Sequence, residues 1–268
     1  MSPSRRPMEM SQRKREMSPL RSKGPPQDSK NVEPSVIYLM RECFNEILSL
    51  EGDLEQARME LRELADFTLP GIFNLFTGYS QARIGPNEIL GGLERIGLFA
   101  SIDDLDALVG RYDADEDGKL SFWEFSNALL PIDPVSRDEL ERRKPVWEIG
   151  YETKEVVRKV FRKLLDAEKQ MEQIRVRIHK ERGVDLGSAF TALDWLSRGY
   201  LTCNEFKKAF NWHTVLQEST SSAKMGSYVR QDQNEIEGMI RRFNKDKLNG
   251  RIRLHEFIEE LTPKSLRQ

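Results

Sequence analysis

Arg111–Phe125 reads RYDADEDGKLSFWEF, and the twelve residues Asp113–Glu124 within it decide the fold. Carboxylates stand at positions 1, 3 and 5 (Asp113, Asp115, Asp117), Gly118 at 6, Ser121 at 9 and Glu124 at 12. Lys119, at 7, has its backbone carbonyl to offer. A calcium ion takes about six to eight hard oxygen ligands, and this order of residues supplies them from one tight turn. Glycine at 6 can adopt the positive φ that closes such a turn. The flanks predict helices on both sides. Ser101 with Asp104 caps an entering helix whose Leu105, Leu108, Val109 and Tyr112 share a face. Phe122, Phe125 and Leu129 lie on an exiting helix that Pro131 stops.

Working outward, the chain matches itself without gaps at an offset of 117 residues. Glu51 falls on Glu168, Glu55 on Glu172, Gln56 on Gln173, Arg58 on Arg175, Phe73 on Phe190, Asn87 on Asn204 and Glu88 on Glu205. Helical periodicity aligns apolar residues by chance, but not this many charged and amide residues, so the chain reads as a duplication. Each unit opens with a long helix. Val36, Met40, Cys43, Ile47, Leu50, Leu54, Ala57, Leu61 and Leu64 keep an unbroken a/d heptad spacing, as do Val157, Val160, Leu164, Ala167, Met171, Ile174 and Ile178. Such stripes pack on their own unit, on the other long helix, or on another chain. The expected fold is all-α. A basic, proline-rich tail (1–34) precedes a long helix (35–66) and a first helix–loop–helix pair (67–131). A linker (132–150), a second long helix (151–183) and a second, degenerate pair (184–263) follow.

Three further loops align with the intact one. The first, ending at Ile84 and Glu88, offers Thr77, Tyr79 and Gln81 as ligands and Ala82 in place of glycine; it reads as empty. The third has Asp194 at 1 and Gly199 at 6, but Leu196 and Arg198 at 3 and 5, and reads as empty too. The fourth has two registers. One puts Lys245 and Lys247 at ligand positions and forbids an ion. The other starts at Asn244 and offers Asn244, Asp246, Asn249 and Glu256 in a thirteen-residue loop, a weak calcium site at best beside Arg251 and Arg253.

Composition narrows the function classes. Of 268 residues 38% are hydrophobic and 32% charged, with a net charge of −2, so nothing favours nucleic acid or an anionic membrane surface. No apolar run has the length of a membrane span or signal core. The tail carries eight basic residues against four acidic ones and six of the twelve prolines. It is either a solvated arm or one that orders on an acidic partner. Cys43 and Cys203, far apart, fit packing roles in a reducing, cytoplasmic compartment. His179, His213 and His255 stand alone, and no nucleophile, phosphate cradle or catalytic carboxylate pair is visible, so an enzyme and a small-molecule substrate are not expected. Trp123 is placed to report on the loop, and Trp147 and Trp212 fit core or joint anchors. Thr214–Gln233 is expected to be a surface loop.

The helix–loop–helix parts resemble the EF-hand superfamily. That resemblance implies that the apolar residue at position 8 of each loop, Leu120 in the intact one, pairs with its neighbour in a short antiparallel bridge. A narrower resemblance, carried by Phe122–Pro145 (FWEFSNALLPIDPVSRDELERRKP), DAEKQMEQIRVRI (Asp166–Ile178) and FNKDKLNGRIRLHEF with LTPKS, is to EF-hand proteins of ciliary and flagellar axonemes, including those on the inner wall of doublet microtubules. It implies a structural, cytoskeletal role with tubulin and neighbouring lumenal proteins as partners. The alternatives are a cytosolic calcium sensor that binds target helices and a non-catalytic regulatory subunit of an enzyme. Against the sensor, the methionines outside the tail, Met40, Met59, Met171, Met225 and Met239, do not cluster.

Overall fold

A computed structural model describes residues 34–78, 82–209, 236–244 and 250–264. The basic tail apart from Pro34, Tyr79, Gln81, Trp212, His213, the 214–233 loop and Lys245–Asn249 therefore lie outside the described residues. The fold is all-α. In chain order the helices are α1 (Pro34–Arg62), α2 (Leu69–Thr77), α3 (Pro86–Arg95), α4 (Ile102–Tyr112), α5 (Phe122–Leu129), α6 (Pro134–Glu141), α7 (Tyr151–Lys180), α8 (Leu186–Leu193), α9 (Cys203–Ala209), α10 (236–243) and α11 (Leu254–Leu261). Four two-residue strands, β1 (Arg83–Ile84), β2 (Leu120–Ser121), β3 (Tyr200–Leu201) and β4 (Ile252–Arg253), join the loops in two antiparallel pairs. Ile84 faces Leu120 and Leu201 faces Ile252, so the apolar position-8 residues meet, and all four are buried.

Local chemistry sets the helix ends. The Thr68 hydroxyl accepts from Gly71 N–H, Ser101 from Asp104 N–H and Asp133 from Ser136 N–H, each filling an orphan donor of a first turn. Gly78 closes α2 at φ +59°, a left-handed conformation that favours glycine. Helix α1 stops at Arg62, before the last heptad position Leu64, whereas α7 runs to Lys180 and holds its whole stripe, Val157 to Ile178. The stretch 132–150, read as a linker, contains α6, which starts at Asp133–Pro134 and buries Leu140. Trp147 is 55% exposed and does not anchor the core.

The heptad stripes bury against each other. Leu54, Ala57 and Leu61 of α1 share one core with Val157, Val160, Phe161 and Leu164 of α7 and with α2–α5. Val36, Met40, Cys43 and Ile47 share the other with Met171, Ile174 and Ile178, and with residues of α8–α11. The two helices thus run antiparallel, and each serves both cores. An a/d stripe of this length suits such a crossing because it presents one apolar face over many turns.

Charged residues that repeat at the 117-residue offset turn out to be buried fasteners. Arg58 Nε donates to Ala128 O at 3.0 Å, and its counterpart Arg175 Nε donates to Glu260 O at 2.7 Å. Each arginine ties a long helix to the last helix of its own unit. Glu51 and Glu168 form a second, larger device. Arg111 of α4 donates to Glu51 at 2.7 and 2.9 Å and to Glu168 at 3.2 Å. Arg242 of α10 donates to Glu51 at 2.8 Å and also to Glu168. Arg111 and Arg242 are themselves equivalents, since Leu108, Val109, Arg111 and Tyr112 match Met239, Ile240, Arg242 and Phe243 at a common spacing (111 to 242). The result is a pseudo-twofold ring of two glutamates and two arginines between the units, with Glu51, Glu168 and Arg242 almost inaccessible to solvent. Burial pushes the Glu51 carboxyl up, but Arg111 and Arg242 outweigh it and hold it below the usual carboxylate range. Glu168 is held far below that range in the same way, with Lys264 adding to the two arginines. Helix α10 comes close enough that a Cβ on Gly238 would lie 2.9 Å from Ile132 and 3.2 Å from Glu51, so only glycine fits that contact without a shift.

Candidate metal centre

Helix α4 ends at Tyr112, and Asp113 caps it by donating its N–H to Val109 O at 2.9 Å. From there the chain turns through Glu116 (φ +58°) and Gly118 (φ +79°) into β2 and α5. Two left-handed residues within three positions fold the loop inward. Asp113 anchors it: Oδ1 accepts from Asp117 N–H at 3.2 Å and Oδ2 from Gly118 N–H at 2.8 Å. Asp117 Oδ1 accepts from Lys119 N–H at 2.9 Å.

Of the residues expected to hold a metal, the fold brings Asp113, Asp115 and Asp117 together. One carboxylate oxygen of each lies within 4.8 Å of the others, and this is the one such cluster among the described residues. Burial raises the Asp113 carboxyl above its usual range despite its backbone donors. Asp115 is held low by a hydrogen bond from Arg83. Glu124 is not part of the cluster. Its Oε1 accepts from Ala114 N–H at 2.8 Å, and its Oε2 from Ser121 N–H at 2.8 Å and Ser121 Oγ at 2.7 Å. Ser121 returns the bond by accepting from Glu124 N–H at 3.4 Å, which makes a reciprocal cap on α5. These donors hold the Glu124 carboxyl below the usual range although burial pushes it up. Three convergent aspartates and a fourth carboxylate at the loop's end are hard anionic oxygens, a donor set that suits a hard divalent cation.

The glutamate at position 12 plays the same backbone role in the other loops. Glu88 accepts from Gly85 N–H at 2.8 Å, Glu205 from Thr202 N–H at 2.8 Å and Glu256 from Arg253 N–H at 2.6 Å. In all four loops the glutamate caps the exiting helix. That role is written in the sequence as an S/T-x-x-E pattern at Ser121–Glu124 and Thr202–Glu205, yet the metal reading conceals it. The third loop repeats the anchoring of the second, with Asp194 accepting from Arg198 N–H at 3.0 Å and Gly199 N–H at 2.6 Å. There the Arg198 guanidinium, from position 5, is bonded to Glu205. In the fourth, Asn244 caps α10 by donating its N–H to Ile240 O at 3.0 Å, as Asp113 caps α4, and its Nδ2 donates to Arg251 O at 2.7 Å. This matches the register that starts at Asn244, with Glu256 occupied as a cap. Asp246 and Asn249 lie outside the described residues.

An open groove of about 1400 Å³ runs between α4 and α7 beside the loop. Its charges pair across it, as in Lys169–Asp104 at 3.1 Å and Lys264–Glu168 at 3.3 Å. No helix among the described residues is long and apolar enough to cross a membrane. A scan against protein-family models and a search of curated proteins return no match to this chain.

Proposed function

We propose that this chain is an EF-hand scaffold protein that binds one calcium ion at Asp113–Glu124. The observation that carries the reading is the convergence of Asp113, Asp115 and Asp117 in a loop closed by Gly118 and capped by Glu124. In this reading the three aspartates, the Lys119 carbonyl, Ser121 and Glu124 hold the ion, and its charge ties the end of α4 to the start of α5. The bridging of position-8 residues between neighbouring loops supports two EF-hand pairs. The apolar seam of α1 is spent on α7, and the units are joined by buried charge. This favours a stiff scaffold over a sensor that opens a groove. On the sequence resemblance of Phe122–Pro145 and Asp166–Ile178, we further propose a structural place in the ciliary axoneme, on tubulin or neighbouring lumenal proteins.

Calcium titrated into the full-length chain, followed by calorimetry and by the fluorescence of Trp123, tests the metal reading. Wild type gives a saturable signal. Asp113→Asn, which keeps the side-chain shape but removes a charged ligand, abolishes it while leaving the helical circular dichroism in place. Equal binding by the variant contradicts the site. Fractionation of ciliated cells tests the location: recovery of the chain with soluble cytosol and none with axonemes contradicts it.

A further inference from the structure

Arg83 lies on β1, in the neighbouring loop, directly opposite Ser121 of the candidate metal loop. Its guanidinium crosses to that loop, where Nη1 donates to Asp115 Oδ2 at 2.9 Å and to Asp117 Oδ2. These are the side chains of ligand positions 3 and 5. We infer that Arg83 is a tethered counter-cation that competes with the metal ion for the Asp115 and Asp117 carboxylates and so weakens metal binding at this loop. The inference rests on the reading of Asp113–Glu124 as a cation site and names what regulates it.

The third loop supplies an independent precedent within the same chain. Its anchoring is that of the second: the aspartate at position 1 takes the N–H groups of positions 5 and 6. There an arginine has replaced a ligand, and Arg198 is paired with Glu205, which is 1% exposed. A guanidinium can therefore balance the acidic residues of a loop of this shape. In the second loop the ligands are all kept and the arginine comes from the neighbouring strand. Arg83 is 41% exposed, Asp115 50% and Asp117 38%, so these pairs are wet and weak. A divalent ion can displace the arginine, whereas Arg198 belongs to its loop permanently. Asp113, which takes no bond from Arg83 and is nearly buried, stays anchored to the backbone in either state. Loading the ion would thus exchange one cation for another with little change in the loop's frame, and would free the Arg83 guanidinium at the surface.

The test is calcium affinity by calorimetry at low salt for the full-length wild type, Arg83→Gln and Asp113→Asn. Arg83→Gln is expected to bind about three- to tenfold tighter at unchanged stoichiometry, the size expected from releasing two exposed ion pairs. In ¹⁵N-labelled wild type, the Arg83 side-chain resonances should shift as calcium is added, and Asp113→Asn should lose both effects. Equal or weaker binding by Arg83→Gln overturns the inference and leaves the loop as a cation site. Absence of binding in wild type and Arg83→Gln alike overturns the cation site itself, and the inference with it.

Discussion

Arg242→Ala is expected to lower the unfolding free energy by about 3–5 kcal/mol, the range for removing one partner of a buried ion pair. Arg242 is nearly inaccessible and donates to Glu51, Glu168 and Glu260. The loss comes less from the missing bonds than from what remains. Glu51 would stay buried with Arg111 at 2.7 Å, and Glu168 with Arg111 at 3.2 Å and the partly exposed Lys264 at 3.3 Å. Against a total stability of about 5–15 kcal/mol, this is a large fraction. Urea unfolding followed by circular dichroism measures it. The control is a variant in which Glu51, Arg111, Glu168 and Arg242 are all replaced by apolar residues of similar volume. That variant should recover most of the loss, since a buried network is often exchangeable for packing. A loss below about 1 kcal/mol, the size of a surface pair, would mean that the ring does not join the units.

The second large effect is expected at Phe161. It belongs to the long helix of the second unit, yet it packs in the first core, 5.0 Å from Phe76 and 6.0 Å from Phe125 between ring centroids. Phe161→Ala should cost about 3–5 kcal/mol through lost transfer energy and the cavity left behind. The informative readout is where the loss appears. If α7 serves both cores, amide exchange should accelerate in α2 and α5 as well as in α7. Exchange confined to the second unit would mean that the units fold separately and that the crossing does not carry stability.

The intact loop, its two helices and the duplication are legible in the sequence because they are local or strictly periodic. Asp113, Asp115 and Asp117 converge because alternation and a glycine suffice to bring them together. Other features are long-range and leave weaker marks. Glu51 and Glu168 are visible as a repeated pair, but Arg111 and Arg242 are not, because the longer connection before α10 shifts them off the 117-residue offset. That the stripes of α1 and α7 meet each other could not be separated from a meeting with another chain, since a heptad pattern specifies a partner surface and not its owner. Helix α6 is hard to see in the sequence because Pro131, Pro134 and Pro145 punctuate the stretch around it, although Pro134 sits in the first turn of α6, where proline is tolerated. Glu124 shows two roles competing for one residue. Position 12 of a metal loop and the third position of a capping box coincide, and the cap alone explains why all four loops keep the glutamate.

That coincidence makes the number of ions the decisive quantity. Native mass spectrometry of the full-length chain, taken at about 100 µM free calcium to exceed the range of sensor-type loops, counts them directly. One bound calcium per chain in wild type, and none in Asp113→Asn, is the predicted result. An ion-free wild-type chain, or a second ion that persists in Asp113→Asn, would contradict a single metal loop in a capped helical scaffold.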